Sequence, residues 1–244
     1  MSLAVTAPRL SPERALGLLA ECYALNGTLE PLPSERDQNF RLTTATGARY
    51  VFKIANAQEE RALLEAQQAA MARIVERHGP GPRVISGARG ATLFECEAEG
   101  RHHLLWLVEW LPGRPLAEIG AIPPGLWPEL GANLARLDLA LESFTAPALE
   151  RDFCWNLAGA QRIVSQALPG IADRELRRAM QSLLAGIRLE APLRRQVIHN
   201  DANDFNVLVA PPADSSPGPV RLAGFIDFGD MVVGPRVADP AIAV

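Results

Sequence analysis

Between residues 197 and 209 the chain reads VIHNDANDFNVLV. Two short apolar runs, Val197-Ile198 and Val207-Leu208-Val209, enclose a polar stretch carrying His199, Asp201, Asp204 and Asn206. Such β-branched runs form short buried strands, so the polar residues fall in a tight loop pinned in a core at both ends. A loop held in that way is rigid and aims its side chains. A second stretch, GFIDFGD at 224 to 230, runs another strand into Asp227 and Asp230. A β-hairpin joining the two stretches sets Asn206 and Asp227 side by side across a strand pair. Any fold for this chain must satisfy that juxtaposition.

The segments before these loops fall into two characters. SPERALGLLAECYAL is a helix with Ser11 as N-cap and Pro12 at the first helical position, stopped by Asn26-Gly27. TLEPL and FRLTTATGARYVFKI are strands, the latter turning at Thr46-Gly47 and carrying Lys53. Residues 57 to 78 are dense in Ala, Leu, Glu, Gln and Arg, which predicts a long helix ended by GPGP at 79 to 82. Two further strands lie around ATLFECE and HHLLWLVEW. LPGRPL at 111 to 116 breaks this strand-rich pattern. Beyond it, LWPELGANLARLDLALESF and DRELRRAMQSLLAGI have the three- and four-residue apolar spacing of amphipathic helices. The expected architecture is α+β in two lobes. Residues 1–110 form a small antiparallel sheet with one long helix, 108–113 a hinge, and 114–244 a mainly helical lobe with a hairpin. The run from Pro211 to Pro219 is expected to be an exposed, mobile loop.

Bulk composition narrows the partners. With 24 basic against 28 acidic residues the net charge is −4, and no polybasic run occurs. Neither nucleic acid nor an anionic membrane suits such a surface. Cys22, Cys96 and Cys154 are odd in number and widely spaced, which suggests neither a disulfide framework nor a zinc site. The first residues show no basic stretch followed by a long apolar one, and no apolar run approaches bilayer length, so a reducing cytoplasm is the expected compartment.

Phosphoryl transfer from a nucleotide needs a carboxylate to orient the attacking hydroxyl, oxygen ligands for magnesium, and a lysine on the phosphates. Asp201 suits the first task and Lys53 the last. Asn206 and Asp227 suit the metal, because Mg²⁺ takes hard oxygen ligands and few from protein. The HxDxxxxN spacing of His199, Asp201 and Asn206 is that of a kinase catalytic loop. An HxD alone is far more often a hydrogen-bonded loop with a buried histidine; the argument rests on the combination of loop, second aspartate and strand lysine in this order.

VIHNDANDFNVLV with GFIDFGDM resembles the aminoglycoside phosphotransferase and choline kinase-like family, and within it the hydroxylysine kinase branch, from about LPSERDQNF to the C-terminus. That branch includes chains fused to an aminotransferase-like domain. The resemblance implies a bilobal, protein-kinase-like fold. It makes Asp201, with His199 beside it, the catalytic pair, Asn206 and Asp227 the Mg²⁺ ligands, and Lys53 the phosphate-binding lysine. Ser34, Arg36, Asp37, Gln38 and Asn39 would lie in the nucleotide loop, and Glu109 and Leu111 in the hinge against the base. ATP or GTP is the implied co-substrate. Asp204 and Asp230 are candidates for an acceptor's ammonium group, with turn capping as the plain alternative. In the branch's register Gln67, and not Glu65, takes the place of the helix glutamate that pairs with Lys53. Asp138 stands where many relatives have His.

There is no GxGxxG loop and no Ala-Pro-Glu segment, so small-molecule acceptors are favoured over proteins. Trp155 is expected in the core, although it could border an acceptor pocket. Adjacent His102 and His103 point to opposite faces of a strand and make no metal pair. VADPAIAV reads as a helix start with Asp239 as N-cap, and relatives continue with helices there. The resemblance therefore implies a C-terminally incomplete lobe, with a possible downstream fused domain. Two other readings stay open: a nucleotide-binding regulatory module without turnover, and a structural domain whose acids cap turns. Mg²⁺-dependent nucleotide binding and acceptor-dependent release of nucleoside diphosphate separate the three.

Overall fold

The structure, a computed structural model, describes residues 7–186, 193–211 and 220–243. Most of the Pro211–Pro219 run lies outside them. The chain divides into two compact units, residues 1–113 and 114–244.

In the first unit Ser11 caps α1 (Pro12–Tyr23), its hydroxyl accepting from the Arg14 N–H at 3.3 Å. The helix ends two residues earlier than Asn26-Gly27 predicts, because Ala24 takes a left-handed conformation and returns its N–H to Ala20. Five strands follow as an antiparallel sheet: β1 (Gly27–Leu32), β2 (Gln38–Thr44), β3 (Arg49–Ile54), β4 (Leu93–Ala98) and β5 (Arg101–Glu109), in the spatial order β1-β2-β3-β5-β4. Pro31 is tolerated because β1 lies at the sheet edge. Side chains alternate across the pleat. Phe40, Leu42, Phe52, Ile54, Leu105 and Leu107 are buried in one core with Leu18 and Leu19 of α1. The opposite face carries Asn39, Lys53 and Trp106 in one cross-strand row. The long helix α2 (Arg61–Glu76) ends before GPGP, and its buried stripe includes Leu64, Gln67, Gln68, Met71 and Ile74.

The second unit holds β6 (Arg114–Pro115), α3 (Leu126–Leu141), α4 (Ala160–Ala167), α5 (Arg174–Gly186), β7 (Arg195–Ile198), β8 (Val207–Ala210), β9 (Arg221–Phe225), β10 (Val232–Pro235) and α6 (Ala238–Ile242). The two strands flanking the polar loop do not pair with each other. β7 pairs with β10, while β8 lies between β6 and β9 in a separate ribbon. Residues 199–206 therefore pass from the first ribbon to the second, and residues 226–231 pass back. Because both ends of the two connections are paired, they must run side by side. That topology, more than the hairpin alone, positions the site.

Candidate active site

His199 opens the first connection and is fully buried. Its Nδ1 accepts from the Asp201 N–H at 3.2 Å, so the ring proton resides on Nε2, which donates to the Ile226 carbonyl at 3.0 Å. The ring also stacks at a tilt on Phe228, 4.6 Å between centroids. With both nitrogens engaged and no exposed edge, the imidazole meets no reactant. His199 ties the Asp201 loop to the Asp227 loop. Asn200 next to it has φ 66°, a left-handed backbone that asparagine tolerates better than most residues. That strained turn is held by one carboxylate. Asp239, fully buried, accepts from the His199 N–H at 2.9 Å and from the Asn200 N–H at 2.7 Å. Asp239 therefore does not cap α6, which starts at Ala238 after Val237; its side chain serves a loop 40 residues back.

Asp201 is turned out of the core by this clamp and is half-buried. Its Oδ1 accepts from Asn203 Nδ2 and its Oδ2 from Asn206 Nδ2, both at 2.7 Å. Each oxygen keeps a lone pair for a further partner. Burial first, then the nearby charge of Asp230, with a smaller contribution from Asp227, raise the Asp201 pKa above its ordinary value, against the pull of Asn203 and His199. That coupling places Asp201, Asp227 and Asp230 together. Asp204 is exposed, and its carbonyl accepts from the Ala117 N–H at 3.0 Å. The turn capping anticipated for Asp204 falls to Asn203, whose Oδ1 accepts from the Phe205 N–H at 2.9 Å.

Asn206 donates its amide nitrogen to both the carbonyl and Oδ2 of Asp201, at 2.9 and 2.7 Å. Both partners are acceptors, which fixes the amide and leaves Oδ1 facing away from Asp201. The Ile226 N–H donates to the Asn206 carbonyl at 2.9 Å, bringing Asp227 alongside. Asp227 is exposed in a left-handed conformation, φ 58°, with Oδ1 accepting from the Gly229 N–H. An amide oxygen and a carboxylate suit a hard dication that draws its remaining ligands from phosphate and water. Among the described residues, no group of three His, Cys, Asp or Glu could hold an ion unaided.

In the first unit Lys53 projects from β3 with Nζ 5.3 Å from the centroid of the Trp106 ring, a cation–π distance. Asn39 stands opposite it on β2 with a buried Oδ1 that has no hydrogen-bond partner among the described residues. Gln67 is buried and Glu65 is exposed against Arg61. The SERDQN stretch is shorter as a loop than expected, since Gln38 and Asn39 already belong to β2. Its side chains divide. Ser34 accepts from the Asp37 N–H, Asp37 accepts from the Asn56 N–H, and Gln38 forms a pair of hydrogen bonds with the main chain of Leu10. Gln38 thus staples the start of β2 to the Leu10 main chain. The Arg36 carbonyl is bound by Asn56 Nδ2. Glu109 makes a two-pronged carboxylate pair with Arg83, and its N–H donates to the Arg83 carbonyl at 2.8 Å. At Leu111 the main-chain N–H has no hydrogen-bond partner among the described residues. His103 is buried with Nδ1 2.9 Å from the Ala55 carbonyl, while His102 is exposed, so the two do point apart.

Three contributors escaped the sequence reading. Arg151 stacks on Phe153 and donates to the Gly229 and Met231 carbonyls at 2.9 and 3.0 Å, bracing the second connection. Nothing in its local sequence marks it. Asn203 and Asp239 carried a signal, an Asx-type turn and a buried acid, but not its target. Trp155, expected in the core, is 70% exposed, and its carbonyl is linked to Asn200 Nδ2 at 3.4 Å.

The sequence profile of the Phosphotransferase enzyme family matches residues 28–244. Hydroxylysine kinase of Danio rerio is 27% identical over 260 residues, covering 100% of this chain and 72% of that protein. The Bos taurus hydroxylysine kinase is 29% identical, over 100% of this chain and 70% of its own length. Among solved structures, an amicoumacin kinase in complex with AMP-PNP, Ca²⁺ and Ami superposes with a TM-score of 0.67 at 16% identity, covering 96% of this chain and 68% of that one. Identity that low speaks for the fold, which is the two-lobed, kinase-like α+β arrangement. With nearly the whole chain inside one profile, the protein belongs to the Phosphotransferase enzyme family.

Proposed function

We propose that the protein transfers the γ-phosphate of ATP or GTP to a hydroxyl group on a small amine or amino acid of hydroxylysine-like or aminoglycoside-like chemistry, with Mg²⁺ and in the cytoplasm. The observation that carries this reading is the Asp201 carboxylate. It is held on both oxygens by amides, is raised in pKa, and has lone pairs left over. A hydroxyl donating to one of those lone pairs is oriented for in-line attack, and its proton passes to the same oxygen as the phosphoryl group arrives. Asn206 Oδ1 and the Asp227 carboxylate are the protein ligands for the dication. When bound, Mg²⁺ neutralises phosphate charge and orients the transferring group. Lys53 adds a fixed positive charge toward the phosphates, and the Leu111 N–H is the hinge donor for the base. Asp230 supplies the negative charge that an acceptor's ammonium group would meet, with Asp204 as a second, more exposed candidate.

The test is nucleoside diphosphate release with ATP and with GTP, plus Mg²⁺, across a panel of 5-hydroxylysine, simple amino alcohols and aminoglycosides. Acceptor-dependent release that disappears in Asp201→Asn is expected. Magnesium-dependent nucleotide binding without release for any acceptor would point instead to a binding module.

A further inference from the structure

Asp138 on α3 is an acid with no part in the chemistry above, and it is only 5% exposed. Its Oδ2 lies 3.4 Å from Arg236 Nε, and its Oδ1 receives no donor among the described residues. Its carboxyl reaches the carboxyl of Asp239, on the helix that α3 packs against. Two buried carboxyls in contact hold one proton between them, because two adjacent buried anions repel strongly. Both oxygens of Asp239 already accept short bonds from the His199 and Asn200 N–H groups, so a proton between the two carboxyls has its place on Asp138. Toward Asp239, as distinct from Arg236, the compatible contact for Asp138 is to donate.

We propose that Asp138 is a positioning residue of the phosphotransferase site, donating a hydrogen bond as a carboxylic acid to Asp239 and, through Asp239, holding the strained His199-Asn200 main chain that presents Asp201. The proposal rests on the reading of Asp201 given above. The surroundings are consistent with it. Burial first, and Asp239 next, push the Asp138 carboxyl up to about 7, against the pull of Arg236. Arg236 is shared with Glu142, which also pairs with Arg194, so no cation is dedicated to Asp138 alone. A recess lined by Leu134, Asp138, Leu193, Arg194 and Arg236 gives solvent protons a path to the acid. The Gln196 side chain donates to the Asp138 carbonyl at 2.8 Å, fixing that turn of α3 against β7 just ahead of the loop.

The direction of the pH effect follows. The folded chain keeps this proton up to about pH 7, whereas an exposed aspartate releases it near 3.8. The free energy needed to open the loop therefore falls as pH rises between those values and levels off above the upper one, where the folded chain itself has released the proton and lost the donated bond. Hydrogen–deuterium exchange at the His199 and Asn200 amides, corrected for intrinsic exchange, reads this in the full chain without substrate. Between pH 5 and 7, wild-type protection should fall by up to about tenfold per pH unit. In Asp138→Asn, whose amide can donate to Asp239 at any pH, the slope should be clearly shallower and protection at pH 7 higher. Equal slopes in the two chains overturn the proposal, as does a flat wild-type profile. An Asp138→Asn chain that fails to fold also counts against it, because the substitution supplies the donor the proposal requires. With an acceptor in hand, kcat of the wild type should decline above pH 7 and that of Asp138→Asn should not; a kcat indifferent to Asp138 removes the positioning role. A chain that phosphorylates nothing refutes the proposed reaction, yet the exchange result still decides the role of Asp138 in the loop.

Discussion

Asp201 receives two amide donors, so changing it to asparagine does more than remove a base. The new amide offers one acceptor where Asn203 and Asn206 together need two, and one of them must turn away. Asp201→Asn is expected to keep nucleotide affinity within a few-fold while turnover drops by roughly a thousandfold, the range for removing a positioned general base. Parallel titration and steady-state assays check this; near-wild-type turnover in a folded variant removes Asp201 from the mechanism. Asp227→Ala should behave differently, because it takes away the anionic ligand of a hard dication. Nucleotide affinity measured with and without Mg²⁺ should then lose its metal dependence, and an affinity that still rises with Mg²⁺ places Asp227 elsewhere. Spacing and the family resemblance together singled out both residues as candidates. The part played by His199 was not legible: a buried imidazole and a catalytic one are written with the same letter, and the distinction lies in where Nε2 goes.

At the scale of elements, the sequence announced strands and helices through their periods but not their partners. Val197-Ile198 and Val207-Leu208-Val209 read correctly as buried strands, yet nothing local says that β7 pairs with β10 while β8 joins β9. Asp239 shows the same limit. Before a proline and an apolar run it has the form of an N-cap, and only the tertiary structure reveals that its carboxylate is used on the His199-Asn200 backbone. Trp155 was assigned inward because large aromatics usually are, whereas the segment carrying it lies on the surface. The β7–β10 pair, which leads into the Asp201 loop, offers a test of element packing. A Cβ on Gly234 would stand 2.7 Å from Cδ1 of the fully buried Ile198. Gly234→Ala should therefore destabilise the chain by about 1–3 kcal/mol through overpacking. The shift should appear in the denaturation midpoint at unchanged m-value; a midpoint within error of wild type means the strand pair relaxes freely around Ile198.

The whole molecule is an acidic chain of 244 residues in two compact units, and none of its described helices is long and apolar enough to cross a membrane. Its stability should respond to nucleotide as a matter of linkage: a ligand that binds only the folded chain stabilises it by about 2.7 kcal/mol at a hundred times its Kd. For a chain of this size each kcal/mol moves the melting temperature by roughly 2–4 °C, so saturating nucleotide with Mg²⁺ should raise it by roughly 5–10 °C. Nucleotide without Mg²⁺ should do much less, because the phosphates then bring uncompensated charge toward Asp227 and its acidic neighbours Asp201 and Asp230. Lys53→Met should reduce the shift while leaving its dependence on Mg²⁺, since the lysine acts on phosphate and not on the metal. Asp227→Ala should leave a small shift that Mg²⁺ no longer enlarges. Scanning calorimetry on the three chains, with ATP and with GTP, gives all of these readings in one experiment and also shows whether the two units melt as one transition or two. A melting temperature that neither nucleotide moves, with Mg²⁺ present at millimolar excess, would mean that this chain does not bind nucleotide, and the assignments of Lys53, Asn206 and Asp227 would fall together.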